Sequence, residues 1–148
     1  MEAKNVNGIK KIQFEDFKII GVLGTGKTYI CSSVKVILVK NKNENLSENN
    51  EIAIKIVKKG EILKKKQINH ARNEIDVLSV INFPFIPKLL GFGQNDRYLF
   101  IAMECIKGED FFNYLRKKKR LHSFDVMLYS AQIVISFEYL HSNNIVFR

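Results

Sequence analysis

The sequence predicts an α+β chain: a five-stranded antiparallel sheet with one helix set among the strands, followed by helices alone. Three observations carry this. Period-two apolar segments dominate the first hundred residues, one stretch among them has apolar residues at helical spacing, and beyond residue 110 the helical spacing takes over.

Residues 1–13 are mostly polar and rich in lysine, and read as a flexible lead-in. A first strand is expected over 17–22, running into the glycine-punctuated Leu23-Gly24-Thr25-Gly26. A second follows over 34–39, where Val34, Val36 and Leu38 alternate with Lys35, Ile37 and Val39, and the asparagine-rich stretch 41–51 reads as an exposed hairpin loop. The third, over 52–57, places Ile52, Ile54 and Ile56 on one face and Ala53, Lys55 and Val57 on the other, so Lys55 is anchored at a strand centre. Ile68, Ala71, Ile75 and Leu78 predict an amphipathic helix over 67–81, stopped by Asn82 and Pro84.

Two further strands, over 85–91 and 98–103, flank the turn residues Gly93-Gln94-Asn95-Asp96. A short helix over 110–116 precedes a long one over 123–142, with Ser123 as N-cap and Asp125 in its first turn. Val126, Tyr129, Ile133, Phe137 and Leu140 line one side of the long helix. Met127, Leu128, Val134, Ile135 and Tyr139 fill much of the rest, and a helix apolar nearly all round expects neighbours on most sides.

With 148 residues, 46% hydrophobic and 26% charged, the composition excludes a disordered or collagen-like chain. No apolar run approaches a membrane span, and the first residues lack the apolar stretch of a secretory signal, so a cytoplasmic protein without a membrane partner is expected. Cys31 and Cys105 are too few for a disulfide framework and lack metal-ligand spacing, and no metal site is expected. The net charge of +9 could attract nucleic acid, acidic lipid or a phosphorylated ligand. The runs Lys64-Lys65-Lys66 and Arg116-Lys117-Lys118-Lys119-Arg120 read as solvated, the second with a nuclear-import alternative, and no nucleic-acid partner is expected.

The segment Gly21-Val22-Leu23-Gly24-Thr25-Gly26-Lys27-Thr28 satisfies the P-loop pattern, in which Lys27 would meet the terminal phosphates and Thr28 a magnesium ion. That reading requires a helix directly after the lysine, yet the residues from Thr28 to Val39 are rich in β-branched side chains and settle into period two. The rival takes Leu23-Gly24-Thr25-Gly26 as the start of a glycine-rich hairpin and Lys55 as the phosphate lysine. Glu74, three residues after Ala71 and four before Leu78, puts a carboxylate beside the apolar face of the helix. A charge there is costly unless paired, and Lys55 is the obvious partner.

The ordered set Leu23-Gly24-Thr25-Gly26, Ile52-Ala53-Ile54-Lys55, Asn73-Glu74, Asn82-Phe83-Pro84-Phe85, Ala102-Met103-Glu104, Gly108-Glu109-Asp110-Phe111-Phe112 and Ala131 to Ser142 resembles eukaryotic Ser/Thr protein kinases of the cyclic-nucleotide-dependent branch. The resemblance implies a kinase N-lobe and hinge over 14–106 and the start of a C-lobe over 107–148. It implies ATP as cofactor, with magnesium in the complete family member. Leu23, Gly24, Gly26, Val36 and Ala53 would then enclose the nucleotide, with Lys55 on its phosphates and Glu74 holding Lys55. Met103 would be the gatekeeper, the backbone of Glu104 and Ile106 the hinge that meets adenine, and Asp110 a carboxylate for ribose and a basic substrate residue. Leu78 and Leu89 match a regulatory hydrophobic column, and His70 and Arg148 match contacts to an activation-loop phosphate. The implied partners are a protein substrate with basic residues upstream of its Ser or Thr and a cyclic-nucleotide-binding regulatory subunit.

Two departures from the family pattern stand out. Tyr29 occupies the place of the third loop glycine and Cys31 that of the following valine, with extra residues before Lys35. The sequence ends at Ile145-Val146-Phe147-Arg148, just before the position of the catalytic Asp, so the stretch alone is expected to be inactive, as the ATP-binding part of a kinase or as a kinase-like binding module.

Overall fold

Six strands, one more than expected, form a single sheet in the order β1-β5-β6-β4-β3-β2 in the computed structural model, which describes residues 10–26, 34–42 and 51–146. They are β1 (Lys10–Lys11), β2 (Phe17–Gly26), β3 (Val34–Asn41), β4 (Glu51–Lys58), β5 (Leu89–Gln94) and β6 (Tyr98–Glu104). The five expected strands pair antiparallel throughout. The sixth, β1, lies in the stretch read as a flexible lead-in and pairs parallel with β5.

Packing that no local period announces is what orders residues 10–17. The Ile12 N–H donates to the Phe92 carbonyl at 3.0 Å, its side chain is 9% exposed, and the Phe14 ring stacks on Phe100 at 4.8 Å. This strap closes one face of the sheet, here called the back. Ile12, Ile37, Val39, Ile54, Phe100 and Ala102 form its core, with Phe14, Phe17, Ile52, Ile56 and Tyr98 packed around it. Gly91 and Gly93 permit the approach: a Cβ on Gly91 would stand 2.6 Å from the Lys10 carbonyl oxygen, and one on Gly93 would overlap the Ile12 carbonyl oxygen.

On the front face a smaller core joins Val57, Ile62 and Ala71, with Val36 and Leu99 against it. Ile62 comes from α1 (Lys59–Lys64), a helix the sequence reading missed because its one buried side chain stands among lysines. Ala71 comes from α2 (Ile68–Val80), within the expected 67–81. β5 begins at Leu89 rather than at 85, because Pro84 and Pro87 cannot donate to a ladder and the intervening residues turn instead, with Ile86 N–H on the Phe83 carbonyl. Asn95 closes the β5–β6 hairpin by accepting the N–H groups of Arg97 and Tyr98 at 3.0 and 2.8 Å.

A second unit comprises residues 82–86 with those from Ile106 onward. It contains α3 (Phe111–Lys118) and α4 (Ser123–Ser142). The two helices meet through aromatic edges, Phe111 on Tyr129 at 5.1 Å and Tyr114 on Tyr129 at 6.4 Å. The adjacent Tyr114, followed by partial burial and Asp125, raises the Tyr129 phenol above its ordinary value. Phe83 stacks on Tyr139 at 4.6 Å, and the Asn82 N–H donates to the Tyr139 hydroxyl at 3.1 Å. Ser123 is the first helical residue rather than the cap; His122 holds the N-cap position without a side-chain bond. Phe112, Phe124 and Val134 are more than 60% exposed, and Leu140 is the buried residue of α4. Among the described residues no helix is long and apolar enough to cross a membrane.

Asp110 caps α3, its Oδ1 accepting the Asn113 N–H at 2.8 Å and its Oδ2 the Asn113 side-chain amide at 2.6 Å. Asp110→Ala should therefore cost about 1 kcal/mol of helix stability, while Asp110→Asn retains most of it. Faster amide exchange at Asn113 in the alanine variant alone is the expected result.

Candidate functional site

Strand register gathers most of the predicted residues on the front face. Gly24, Val36, Lys55 and Ile101 form one row across β2, β3, β4 and β6. The neighbouring row runs Gly21, Leu38, Ala53 and Met103. Because β side chains alternate, the two rows share a face and bring Val36, Ala53, Lys55 and Met103 together. Ala53 is 8% exposed, and Val36 and Met103 are half-buried.

Leu23 stands at the irregularity between Val22 and Gly24, without a Cα partner on β3, and is 52% exposed. It projects from the strand edge instead of being held in a ladder pair. A Cβ built on Gly24 would meet nothing within 4 Å, so the space beside this backbone is unfilled. Gly26 pairs with Val34.

Lys55 and Glu74 are joined: Nζ donates to Oε1 at 2.5 Å, with the side chains 14% and 28% exposed. Two local rules meet here. Strand parity sends Lys55 to the face that α2 covers, and Glu74 lies one helical turn from Ala71, the residue that seats α2 on Val57. The pair holds an ammonium group at the centre of the sheet with protons to offer an anion.

At the end of β6 the Glu104 N–H donates to the Lys88 carbonyl at 2.9 Å. Ile106 and Asp110 belong to the second unit, where Ile106 is 66% exposed and Asp110 is engaged as the α3 cap. Leu89 is buried and Leu78 half-buried, while His70 is exposed on α2. Lys27, Thr28, Tyr29, Cys31, Phe147, Arg148 and most of the loop expected over 41–51 lie outside the described residues. The P-loop reading needs a loop over Gly21 to Gly26, and these residues are instead strand, paired antiparallel with β3.

Sequence reasoning missed two supports of the site. One is Ile62, which props Val57 and Ala71 from α1. The other is the Lys88 carbonyl, whose backbone role leaves no signal in residue type.

Five antiparallel strands bordered by one parallel strand, a helix seated on one face and a strand lysine tied to a helix glutamate define a protein-kinase-like class. Residues 17–148 match the family model of the protein kinase domain, and the chain belongs to that family. It is 36% identical over its whole length to Protein kinase 3 of Dictyostelium discoideum, spanning 15% of that protein. It is 37% identical over 134 residues, 90% of the chain and 35% of the relative, to the cAMP-dependent protein kinase catalytic subunit PRKX of Mus musculus. Against cAMP-dependent protein kinase type 3 of Saccharomyces cerevisiae the identity is 33% over 138 residues, 93% of the chain and 32% of the relative. The chain thus spans about a third of these relatives' length or less.

Proposed function

We propose that this chain supplies the ATP-binding part of a Ser/Thr protein kinase, which transfers the γ-phosphoryl group of ATP to a protein hydroxyl. The Lys55–Glu74 pair, on the same sheet face as Val36, Ala53 and Met103, carries this reading. The group fits these residues: Val36, Ala53 and Met103 offer a flat apolar slot, the Glu104 carbonyl an acceptor for an amino edge, and Lys55 a fixed cation for phosphate oxygens. ATP supplies the phosphoryl group. The protein's task is to hold it in place and to neutralise charge.

Leu23 covers the base, Gly24 and Gly26 allow the backbone to approach the phosphates, Ile106 adds a second hinge contact and Asp110 serves the ribose and a basic substrate residue. The finer assignments extend this proposal. The substrate is a protein with basic residues upstream of its Ser or Thr, the regulator a cyclic-nucleotide-binding subunit, the compartment the cytoplasm, with nuclear entry through the basic run 116–120. Among the described residues no cluster of three His, Cys, Asp or Glu side chains could hold a metal, so no step here is assigned to magnesium.

Amide NMR during ATP titration tests the reading. Shifts centred on Val36, Ala53, Lys55, Met103 and Glu104 are expected. Shifts centred on Lys27 and Thr28 would point to phosphate-loop chemistry, and no shifts at all would leave a nucleotide-independent interaction module.

A further inference from the structure

A cavity of about 410 Å³ opens on the back of the sheet, away from the Lys55 face. Phe14, Ile56, Tyr98 and Phe100 form its apolar walls, and Lys35, Lys58 and Asn95 bring its polar groups. Register explains the convergence. Lys35 pairs with Ile56, Ile56 with Phe100, and Lys58 with Tyr98, so all five side chains share the face closed elsewhere by Ile12, Phe14 and Phe17. The strap covers the centre of this face and leaves its Lys58 end open.

The chemistry of the lining is one-sided. Among the described residues no carboxylate lines the cavity and neither lysine is paired. The Asn95 Oδ1 already accepts two backbone N–H groups, so the donor it can offer is its amide nitrogen. The volume suits a small ligand, and three aromatic rings suit a flat one. Lys35 and Lys58, both exposed on this face, can offer charge-assisted hydrogen bonds to an anion.

We propose that this back-face cavity binds an aromatic ring bearing an anionic group, a phosphate or carboxylate, with the ring among Phe14, Tyr98 and Phe100 and the anion between Lys35 and Lys58. The site is separate from the nucleotide face, and its occupant bridges the strap, through Phe14, to β3, β4 and β6.

Phenyl phosphate is the probe and phenol its neutral counterpart, each titrated into the full chain with amide NMR as readout. Phenyl phosphate is expected to shift Lys35, Ile56, Lys58 and Tyr98, to bind at least ~10-fold more tightly than phenol, and to be indifferent to saturating ATP. The double variant Lys35→Gln, Lys58→Gln should remove that preference and keep the spectrum elsewhere. In the unaltered chain, added salt should weaken phenyl phosphate and leave phenol unchanged. Equal binding of the two probes, displacement by ATP, or an unaffected double variant would overturn the proposal. A short peptide with one phosphotyrosine, run beside phenyl phosphate, separates the sources: tighter binding of the peptide places the aryl anion on a protein, equal binding on a free molecule.

Discussion

Lys55→Ala should lower ATP affinity at least ~10-fold, equivalent to about 1.4 kcal/mol. The variant removes the cation that Glu74 holds at the sheet centre. Folding should suffer less. Glu74 keeps 28% of its side chain exposed and rehydrates once its partner is gone, so the loss is about 1–2 kcal/mol, below that for a fully buried pair. Calorimetric titration with ATP, alongside urea unfolding, separates the two quantities. Lys27→Ala is the matched control and should change affinity by less than about twofold, within the scatter expected where no charged contact is lost. The reverse pattern, a strong loss at Lys27 with Lys55→Ala unaffected, would overturn the kinase reading of the site.

Gly93→Ala should be the most damaging small substitution, at about 3 kcal/mol. Its new methyl would meet the Ile12 carbonyl, which is backbone and cannot rotate aside as a side-chain tip does. The strap must lift, and Ile12 and the Phe14 stack on Phe100 are then lost from the back core. Hydrogen exchange should show this directly, with protection disappearing at the Ile12 N–H that now donates to Phe92. Gly60→Ala makes the contrast: it lies exposed in α1 with nothing within 4 Å of a Cβ, and should stabilise by about 0.5–1 kcal/mol through the unfolded chain and helix propensity. Equal stability of Gly93→Ala and the unaltered chain would show that the strap is dispensable.

The Lys55–Glu74 pair was legible in the sequence because each half follows from a local period. Alternation in β4 assigns Lys55 a face, and helical spacing around Ala71 assigns Glu74 one, so only their facing each other needed the fold. Asp110 was legible as a candidate but not as a cap, since an aspartate before two phenylalanines serves either use. The strap was hidden for a different reason. Ile12 stands in the lysine-rich lead-in and Phe14 ahead of the first expected strand, and what holds this segment is the room that Gly91 and Gly93 leave across the sheet. Lys35 and Lys58 converge only through the registers of β3, β4 and β6, which no single strand encodes.

The outer strand β2 has one more consequence. Ile19, Ile20, Val22 and Leu23 are each about half exposed on a ten-residue strand at the border of the described sheet, with a row of backbone groups facing outward. A straight apolar border of that length would recruit a strand from a neighbouring molecule. The two register shifts, at Ile20 and at Leu23, insert unpaired residues, bend the strand and increase its twist, so a second chain cannot follow it for more than a few residues. The irregularity at Leu23 thus also guards this border of the described sheet against strand addition by a neighbouring molecule.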